Sequence, residues 1–319
     1  MNFAHGYVIK SVIYFKELRA FFIASSEIKV NQKRTVQEKG TSVSSQNEHV
    51  FLIQPSKGWR FLNLKELWQF RELVYFLTWR DIKVRYKQTV IGAAWSLLKP
   101  VMTMVVFTII FNKFAKIDSE GLPYPLFAFA GLLPWNYFSE SISRGGLGLV
   151  GNANLVSKVY FPRLIIPLAS VTTPVVDFLL SFVVFLGLMM WFGIRPGFGI
   201  LYLPLLLLFT LITAFGVSLW LSAVNVRYRD VGYAIPVMIQ FWLYASPVAY
   251  PVSLVPEKWR FFYGLNPMVG VIEGFRWALL GKEVPDSFVM IMSGVIVFVL
   301  LGSGILYFKH TERTFADVI

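Results

Sequence analysis

Long runs of uncharged, mainly apolar residues dominate the second half of the chain and part of the first. Nineteen uncharged residues separate Glu120 from Glu140, and 197–226 holds 30 more. Asp177 alone interrupts the run 164–194. About 20 helical residues cross the hydrocarbon core of a bilayer. We therefore predict an all-α integral membrane protein with six spans, at about 92–113, 121–143, 165–192, 199–224, 232–251 and 286–308.

An amphipathic segment precedes the first predicted span. Apolar residues such as Leu64, Leu67 and Trp68 recur at helical spacing, with charged side chains between them. A helix with one apolar and one charged face lies in the plane of the membrane interface. We predict such an interfacial helix over about 64–88. Residues 1–50 are predicted to be a variable, disordered extension, because most of them are polar and without periodicity.

The segment between the fifth and sixth predicted spans is long for a loop and rich in Trp, Phe and Leu. Breaks at Pro256, Gly264, Pro267 and Gly281 leave neither half long enough to span. Non-spanning backbone survives at membrane depth only where protein or a cavity surrounds it. We predict short re-entrant helices over about 252–283, within a membrane domain that covers 51–319.

The charge distribution predicts the orientation. The chain has a net charge of +12. In a membrane protein Lys and Arg mark the cytoplasmic loops, so this charge does not indicate a nucleic-acid partner. Seven cations lie on one side of the predicted spans and 15 on the other, in the segments 60–99, 144–163, 227–229 and 309–313. Both termini are therefore predicted to be cytoplasmic.

Motifs for catalysis or metal binding are absent from the sequence. It has no G-x-x-x-x-G-K-[ST] phosphate loop and no H-E-x-x-H, and its lack of Cys excludes disulfides and thiolate metal sites. Proton-coupled transporters carry several intramembrane ionisable groups, whereas we expect Asp177 to be the only acid deep in a span. We predict a transport subunit that is not an enzyme, binds no cofactor or metal, and takes its energy from another protein.

Four stretches of the sequence resemble one protein family. They are similar to the permease subunit of type-2 ABC exporters, and more narrowly to permeases that export O-antigen, capsular polysaccharide and teichoic acid. The similarity runs from about residue 50 to residue 319. The stretches are LKELWQFRELVYFLTWRDIKVRYKQTVIGAAWSLLKP, LVSKVYFPRLIIPLAS, ASPVAYPVSLVPEKW and LNPMVGVIEGFRWALLG.

The resemblance implies a particular assembly. Two permeases would form a homodimer with two separate ATPase subunits, which use ATP and Mg²⁺. Together they would move a polyprenyl-diphosphate-linked polysaccharide from the cytoplasm across the bacterial inner (plasma) membrane. An ABC exporter of drugs or lipids is the alternative within the family. A membrane glycosyltransferase or polymerase is the alternative from another class, with candidate acids Glu257, Glu273, Glu283 and Asp286.

The loop 151–164 is the first candidate site. Read with the family resemblance, it is a short coupling helix seated in a groove of the ATPase. The alternative is a solvated loop with ordinary cytoplasmic charge. NVRYRD, at 225–230, is a weaker second contact. The predicted coupling residues are Asn154, Leu155, Val156, Lys158, Val159, Tyr160, Arg163, Arg227, Arg229 and Asp230.

Cations and aromatic residues form two further candidate sets. The cations of the interfacial helix suit the diphosphate of the substrate, but binding of anionic membrane lipid is the favoured explanation for most of them. They are Arg80, Lys83, Arg85 and Lys87. Sugar rings pack their C–H faces on aromatic rings, so a subset of the aromatic residues in the spans is predicted to line the path. The alternative is an aromatic belt at the membrane interface. The favoured lining residues are Phe107, Phe111, Phe241, Trp242, Tyr244 and Tyr250.

Asp177 has two structural interpretations. It is either hydrogen-bonded within its own region, to Thr172, Thr173 or a neighbouring span, or paired with a cation across a helix interface. Both are favoured over proton transport, because no chain of acids leads from it.

Overall fold

The computed structural model describes residues 64–87, 93–195, 197–281 and 284–318, and every regular element within these ranges is helical. The extension predicted over 1–50 lies outside the described residues. The α-helices are α1 (Leu64–Gln69), α2 (Arg71–Tyr86), α3 (Ala93–Phe107), α4 (Tyr124–Gly151), α5 (Ala153–Lys158), α6 (Ile165–Thr172), α7 (Val175–Trp191), α8 (Leu203–Arg227), α9 (Val231–Ala245), α10 (Glu257–Gly264), α11 (Pro267–Leu280), α12 (Ser287–Thr311) and α13 (Phe315–Val318). A π-helical stretch, Thr108–Phe114, continues α3, and 3-10 turns occupy Phe198–Tyr202, Val252–Leu254 and Glu312–Thr314.

Several helical stretches are long enough to cross a bilayer. Four of them meet both the length and the composition that a span requires: Ser96–Phe114, Ile165–Trp191, Phe198–Arg227 and Ser287–Thr314. α4 has 28 residues, which is about 42 Å at the helical rise. α9 is apolar but has only 15 residues. The chain is therefore an all-α multi-pass membrane protein that has both long and short apolar helices.

Proline and its neighbours set several helix boundaries. α9 ends at Ala245, before the predicted end of the fifth span at 251, because Pro247 disfavours the helical conformation of the residue before it. Ser246 is accordingly extended, with φ −107° and ψ 149°. The third predicted span consists of two α-helices with Thr173 and Pro174 between them. Pro174 has no amide hydrogen with which to continue the helical ladder.

α4 lies in the middle of the bundle, where small residues allow close helix packing. A Cβ added at Gly145 of α4 would lie 2.3 Å from Oγ of Ser218 in α8. A Cβ added at Gly304 of α12 would lie 2.7 Å from the carbonyl oxygen of Gly216 in α8. Small residues let helix backbones approach closely in a membrane, where the hydrophobic effect gives little drive for association. These positions therefore determine the spacing of α4, α8 and α12.

The buried apolar side chains form two clusters. The larger surrounds α4 and includes Phe127, Phe138 and Phe178. The smaller, which we call the basal cluster, contains Leu77, Leu149, Val156, Phe161, Leu164, Ile165, Ile166, Ala169, Leu219, Ala223, Val226, Phe308 and Phe315. Its members come from α2, the end of α4, the α5 region, α6, the last turns of α8 and the C-terminal part of α12 with α13. These parts of the chain therefore meet at one end of the bundle, the basal end.

Arg276 of α11 organises the segment that follows α9. Its side chain is fully buried and donates to the carbonyl oxygen of Val248 at 2.9 Å. It also pairs with Glu273 at 2.8 Å, and its guanidinium lies 3.6 Å from the centre of the Phe127 ring. Arg276 is therefore an interior residue of the protein. The α10–α11 segment thus packs into the bundle through a buried charge.

Candidate functional site

The predicted coupling loop forms a short helix on the surface of the basal cluster. α5 has six residues, and Val159 after it is extended, with φ −127° and ψ 134°. Val156 is 5% exposed and belongs to the basal cluster, and Leu155 and Val159 are partly buried against that cluster. Val156 therefore faces this chain's own core, which corrects its predicted role as a contact for a partner. The exposed side chains are those of Asn154, Ser157, Lys158 and Tyr160, the last of them by 78%.

Arg163 also differs from its predicted role at the rim of a partner contact. Its backbone N–H donates to Oε1 of Glu312 at 3.3 Å, and its guanidinium donates to the backbone carbonyl of Glu312. The guanidinium carbon lies 5.9 Å from the centre of the Phe315 ring. Arg163 therefore holds the C-terminal residues of its own chain.

The second predicted contact, at the turn between α8 and α9, lies at the same end of the molecule. Arg227, Arg229 and Asp230 are all exposed, and the Arg227 guanidinium carbon lies 5.6 Å from the centre of the Tyr228 ring. Val226, one residue earlier, is part of the basal cluster together with Val156 of α5. Because the two segments share this buried base, they present their exposed side chains at the basal end.

The four cations predicted to attract phosphate separate into two pairs. Lys83 and Lys87 are exposed, with the Lys83 ammonium 5.3 Å from the centre of a Trp79 ring. Arg80, in contrast, donates to Asp81 at 2.9 Å and to Oδ1 of Asn152 at 3.0 Å. Arg85 is bound to two carboxylates. Both Arg80 and Arg85 therefore hold α2 to the bundle, and their predicted attraction for phosphate stays a prediction.

Arg85 belongs to a partly buried charge cluster between α2, α4 and α7. Its guanidinium donates to Asp177, and it lies 3.3 Å from Oε1 of Glu140, which Arg144 also contacts at 2.8 Å. The hydroxyl of Tyr86 donates to the second oxygen of Asp177. Burial raises the pKa of Tyr86 above its ordinary value, and the hydrogen bond to Asp177 raises it further. Of the two interpretations of Asp177, the structure shows the ion pair across a helix interface.

A cavity of about 80 Å³ opens beside this cluster. Asn136 Nδ2 is buried there and has no hydrogen-bond partner among the described residues. Glu140 of α4 contacts the same Arg85 guanidinium as Asp177. The two acids are matched by cations, so they join helices and do not form a proton path. The cavity is lined by Arg85, Ser96, Lys99, Pro100, Leu133, Asn136, Tyr137, Ser139, Glu140, Pro174, Asp177, Phe178 and Ser181.

The aromatic residues proposed to line a path occupy different environments. Phe107 is 6% exposed and packs edge-on against Phe111 at 5.4 Å, so it is a core residue and not a lining residue. Trp242 packs edge-on against Phe138 at 5.0 Å and donates to Asn266 at 2.9 Å.

Three further predicted lining residues are Phe241 and Tyr244, whose side chains are exposed, and Tyr250. Its hydroxyl donates to the carbonyl oxygen of Tyr244 at 2.9 Å. Phe241 and Tyr244 are 73% and 54% exposed. Among the predicted lining residues, these two on α9 have the most exposed side chains in a single copy of the chain.

Three of the four acids considered for a glycosyltransferase have structural partners. Glu257 lies 3.9 Å from Arg260, Glu273 pairs with the buried Arg276, and Asp286 accepts from the backbone N–H of Phe288 at the start of α12. Glu283 lies outside the described residues. Glu273 in particular is tied to the packing of α11, so it does not resemble a free catalytic acid.

Comparison with known proteins gives two groups of relatives. The chain is 29% identical to the O-antigen export system permease protein RfbA of Myxococcus xanthus over 259 residues, which cover 80% of this chain and 98% of the relative. An RfbA of Klebsiella pneumoniae is 27% identical, covering 78% and 95%. The polysialic acid transport protein KpsM of Escherichia coli is 22% identical, covering 73% and 91%.

A family model also matches most of the predicted membrane domain. The model described as ABC-2 type transporter matches residues 72–280, from α2 to the end of α11. This match covers well over half of the chain and includes both exposed segments of the basal end. The chain therefore belongs to the ABC-2 type transporter family.

Proposed function

We propose that the chain is the membrane permease of an ATP-driven exporter for a polyprenyl-diphosphate-linked polysaccharide. The observation that carries the proposal is the alignment with O-antigen export permeases over 95–98% of their length. The second group of relatives is named for transport of polysialic acid, which is also a polysaccharide. A glycan cargo is therefore common to both groups.

The energy source would be a pair of separate ATPase subunits that bind ATP and Mg²⁺. The sequence contains no phosphate loop of its own. Tyr160 at the basal end is an exposed aromatic residue, and Arg227 and Arg229 add exposed guanidinium groups. Tyr and Arg are enriched among the residues that dominate protein interfaces. We assign this surface to the ATPase and place the basal end, with both termini, in the cytoplasm of a bacterial inner membrane.

The path for the glycan would form between two copies of the permease. Ile235 is the buried member of α9, whereas the helix exposes Tyr233, Val237, Met238, Phe241 and Tyr244. An apolar helix face of this kind fits a homodimer, with membrane lipid covering what the partner copy leaves. We assign Phe241 and Tyr244 to the path because aromatic rings pack against the C–H faces of sugars. The exposed Lys83 and Lys87 would attract anionic lipid or the diphosphate of the substrate.

Transport in reconstituted vesicles tests the proposal. The permease and its ATPase are incorporated with the ATPase facing outward, and a fluorescent polyprenyl-diphosphate-linked glycan is added to the outer leaflet. We expect ATP to make the glycan inaccessible to an external glycosidase. An ATPase without its phosphate-loop lysine should give no transport, and the permease alone should hydrolyse no ATP. ATP-dependent movement of lipids or drugs, with the glycan left outside, would identify the alternative exporter. Incorporation of sugar from a nucleotide sugar would identify a glycosyltransferase.

A further inference from the structure

The C-terminal residues fold back under the bundle after α12. The 3-10 turn Glu312–Thr314 and α13 together form what we call the C-terminal turn, Glu312–Val318. Phe315 in this turn is fully buried in the basal cluster, and its ring packs edge-on against Phe308 at a centroid distance of 5.2 Å. The turn is therefore a packed part of the basal end and not a loose terminus.

The C-terminal turn contacts the polypeptide that links α5 to α6. Glu312 accepts from the backbone N–H of Arg163 through its carboxylate and from the Arg163 guanidinium through its backbone carbonyl. Lys309 lies 2.9 Å from the other carboxylate oxygen and holds the Glu312 side chain in place. The Arg163 guanidinium also faces the Phe315 ring. Two side chains of the turn thus bind one residue of the linker.

The linker depends on support from outside itself. α5 has six residues, and a helix of that length is not stable alone in water. Val156 and Phe161 are each 5% exposed, and both share the basal cluster with Phe315. Tyr160, the exposed residue assigned to the ATPase, lies between these two buried side chains in the sequence. α13 also packs on α8, whose end carries the second exposed segment.

We infer that the C-terminal turn positions the α5 segment for the ATPase, with Glu312 and Phe315 as positioning residues that act through Arg163. The inference rests on the proposed function, because it concerns the surface assigned there to the ATPase. A rigid surface loses less conformational freedom on binding than a mobile one. Releasing the turn should therefore weaken the complex even though neither residue touches the partner.

Spin labelling tests the positioning directly. The sequence has no Cys, so a nitroxide attached at Ser157→Cys in α5 is the only label. We expect it to become more mobile in Arg163→Ala and Phe315→Ala, and co-purification of the ATPase to fall severalfold. Phe315→Leu, which retains apolar volume, should restore most of both. Arg313→Gln is the matched control, because Arg313 is an exposed cation on the same turn.

Other outcomes separate this inference from the proposed function. If Tyr160→Ser lowers co-purification while Arg163→Ala changes neither mobility nor co-purification, the inference is wrong and the docking surface stands. If Tyr160→Ser has no effect, the docking surface in the proposed function is wrong, whereas label mobility still reports on the C-terminal turn. Should Phe315→Ala fail to accumulate in the membrane, Arg163→Ala and Glu312→Ala make the same test. Equal label mobility in these variants and the parent would overturn the inference.

Discussion

Arg85, near the end of α2, donates a hydrogen bond to Asp177 at the start of α7, 92 residues later in the sequence. The same guanidinium also lies beside Glu140 of α4. One cation thus joins α2 to two helices of the bundle. The helix predicted to lie on the membrane surface is therefore attached at its C-terminal end to the interior of the protein.

The first prediction concerns this attachment. Asp177→Asn should lower the free energy of unfolding by about 1–3 kcal/mol, because a hydrogen bond between charged groups is lost and Arg85 keeps only Glu140 as an acidic partner. Thermal unfolding in detergent measures the change. Lys83→Ala, an exposed position on the same helix, should change stability by less than about 0.5 kcal/mol.

A charge exchange provides the stricter control. Combining Arg85→Asp with Asp177→Arg should recover part of the stability that either single change loses, since the pair is rebuilt in reverse. No recovery, together with a neutral effect of Asp177→Asn, would show that the contact does not stabilise the attachment.

The second prediction concerns Arg276. Arg276→Met should destabilise the protein by about 3–5 kcal/mol, because it leaves Glu273 partly buried without its partner and removes the donor to the Val248 carbonyl. Adding Glu273→Gln should restore part of the loss, since the unpaired charge is then gone. Arg260→Met serves as the control on the neighbouring helix α10. Melting curves that are equal for Arg276→Met and the parent would contradict the role of this buried cation.

The third prediction distinguishes the role of Tyr160, in the linker after α5, from that of Val156 within α5. Tyr160→Ser should weaken association with the ATPase by about 2 kcal/mol, the cost of losing one anchor residue. That loss is about thirtyfold in affinity, and membrane abundance should stay normal because the side chain is exposed. Val156→Ser should instead reduce abundance, since its side chain is in the basal cluster. Lys158→Ala should have a smaller effect on co-purification, about 0–1 kcal/mol. Normal co-purification with Tyr160→Ser would show that the segment is a solvated loop.

The fourth prediction concerns orientation. A cysteine at Ser157, on the exposed surface of α5, should resist an impermeant maleimide added outside intact cells. A cysteine at Ser253, an exposed residue that donates to Glu120 at 2.8 Å, should be labelled. Permeabilised cells supply the positive control for Ser157. The reverse pattern of labelling would invert the orientation predicted from the cations.

The long apolar runs and the positions of proline and glycine determined much of the fold in advance. The bilayer core offers no water to hydrogen-bond the backbone, and a helix makes all of its backbone hydrogen bonds within one segment. A long uncharged run is therefore expected to form a helix. The helical stretches Phe198–Arg227 and Ser287–Thr314 therefore fall where the sequence predicts spans. Helix ends were less predictable, as α9 shows, because they depend on single residues such as Pro247.

The roles of the charged residues and of the coupling segment were decided only by tertiary structure. Lys83 and Arg85 look alike in sequence, yet one is exposed and the other binds Asp177 and Glu140. Val156 and Tyr160 were both predicted to contact a partner from one short segment, yet Val156 is buried and Tyr160 is exposed. Helical period specifies which residues share a face, whereas the partner of that face comes from distant segments. The hydrophobic pattern therefore determined that this chain crosses the membrane, and the packing of distant helices decided which charges hold it together and which side chains remain free.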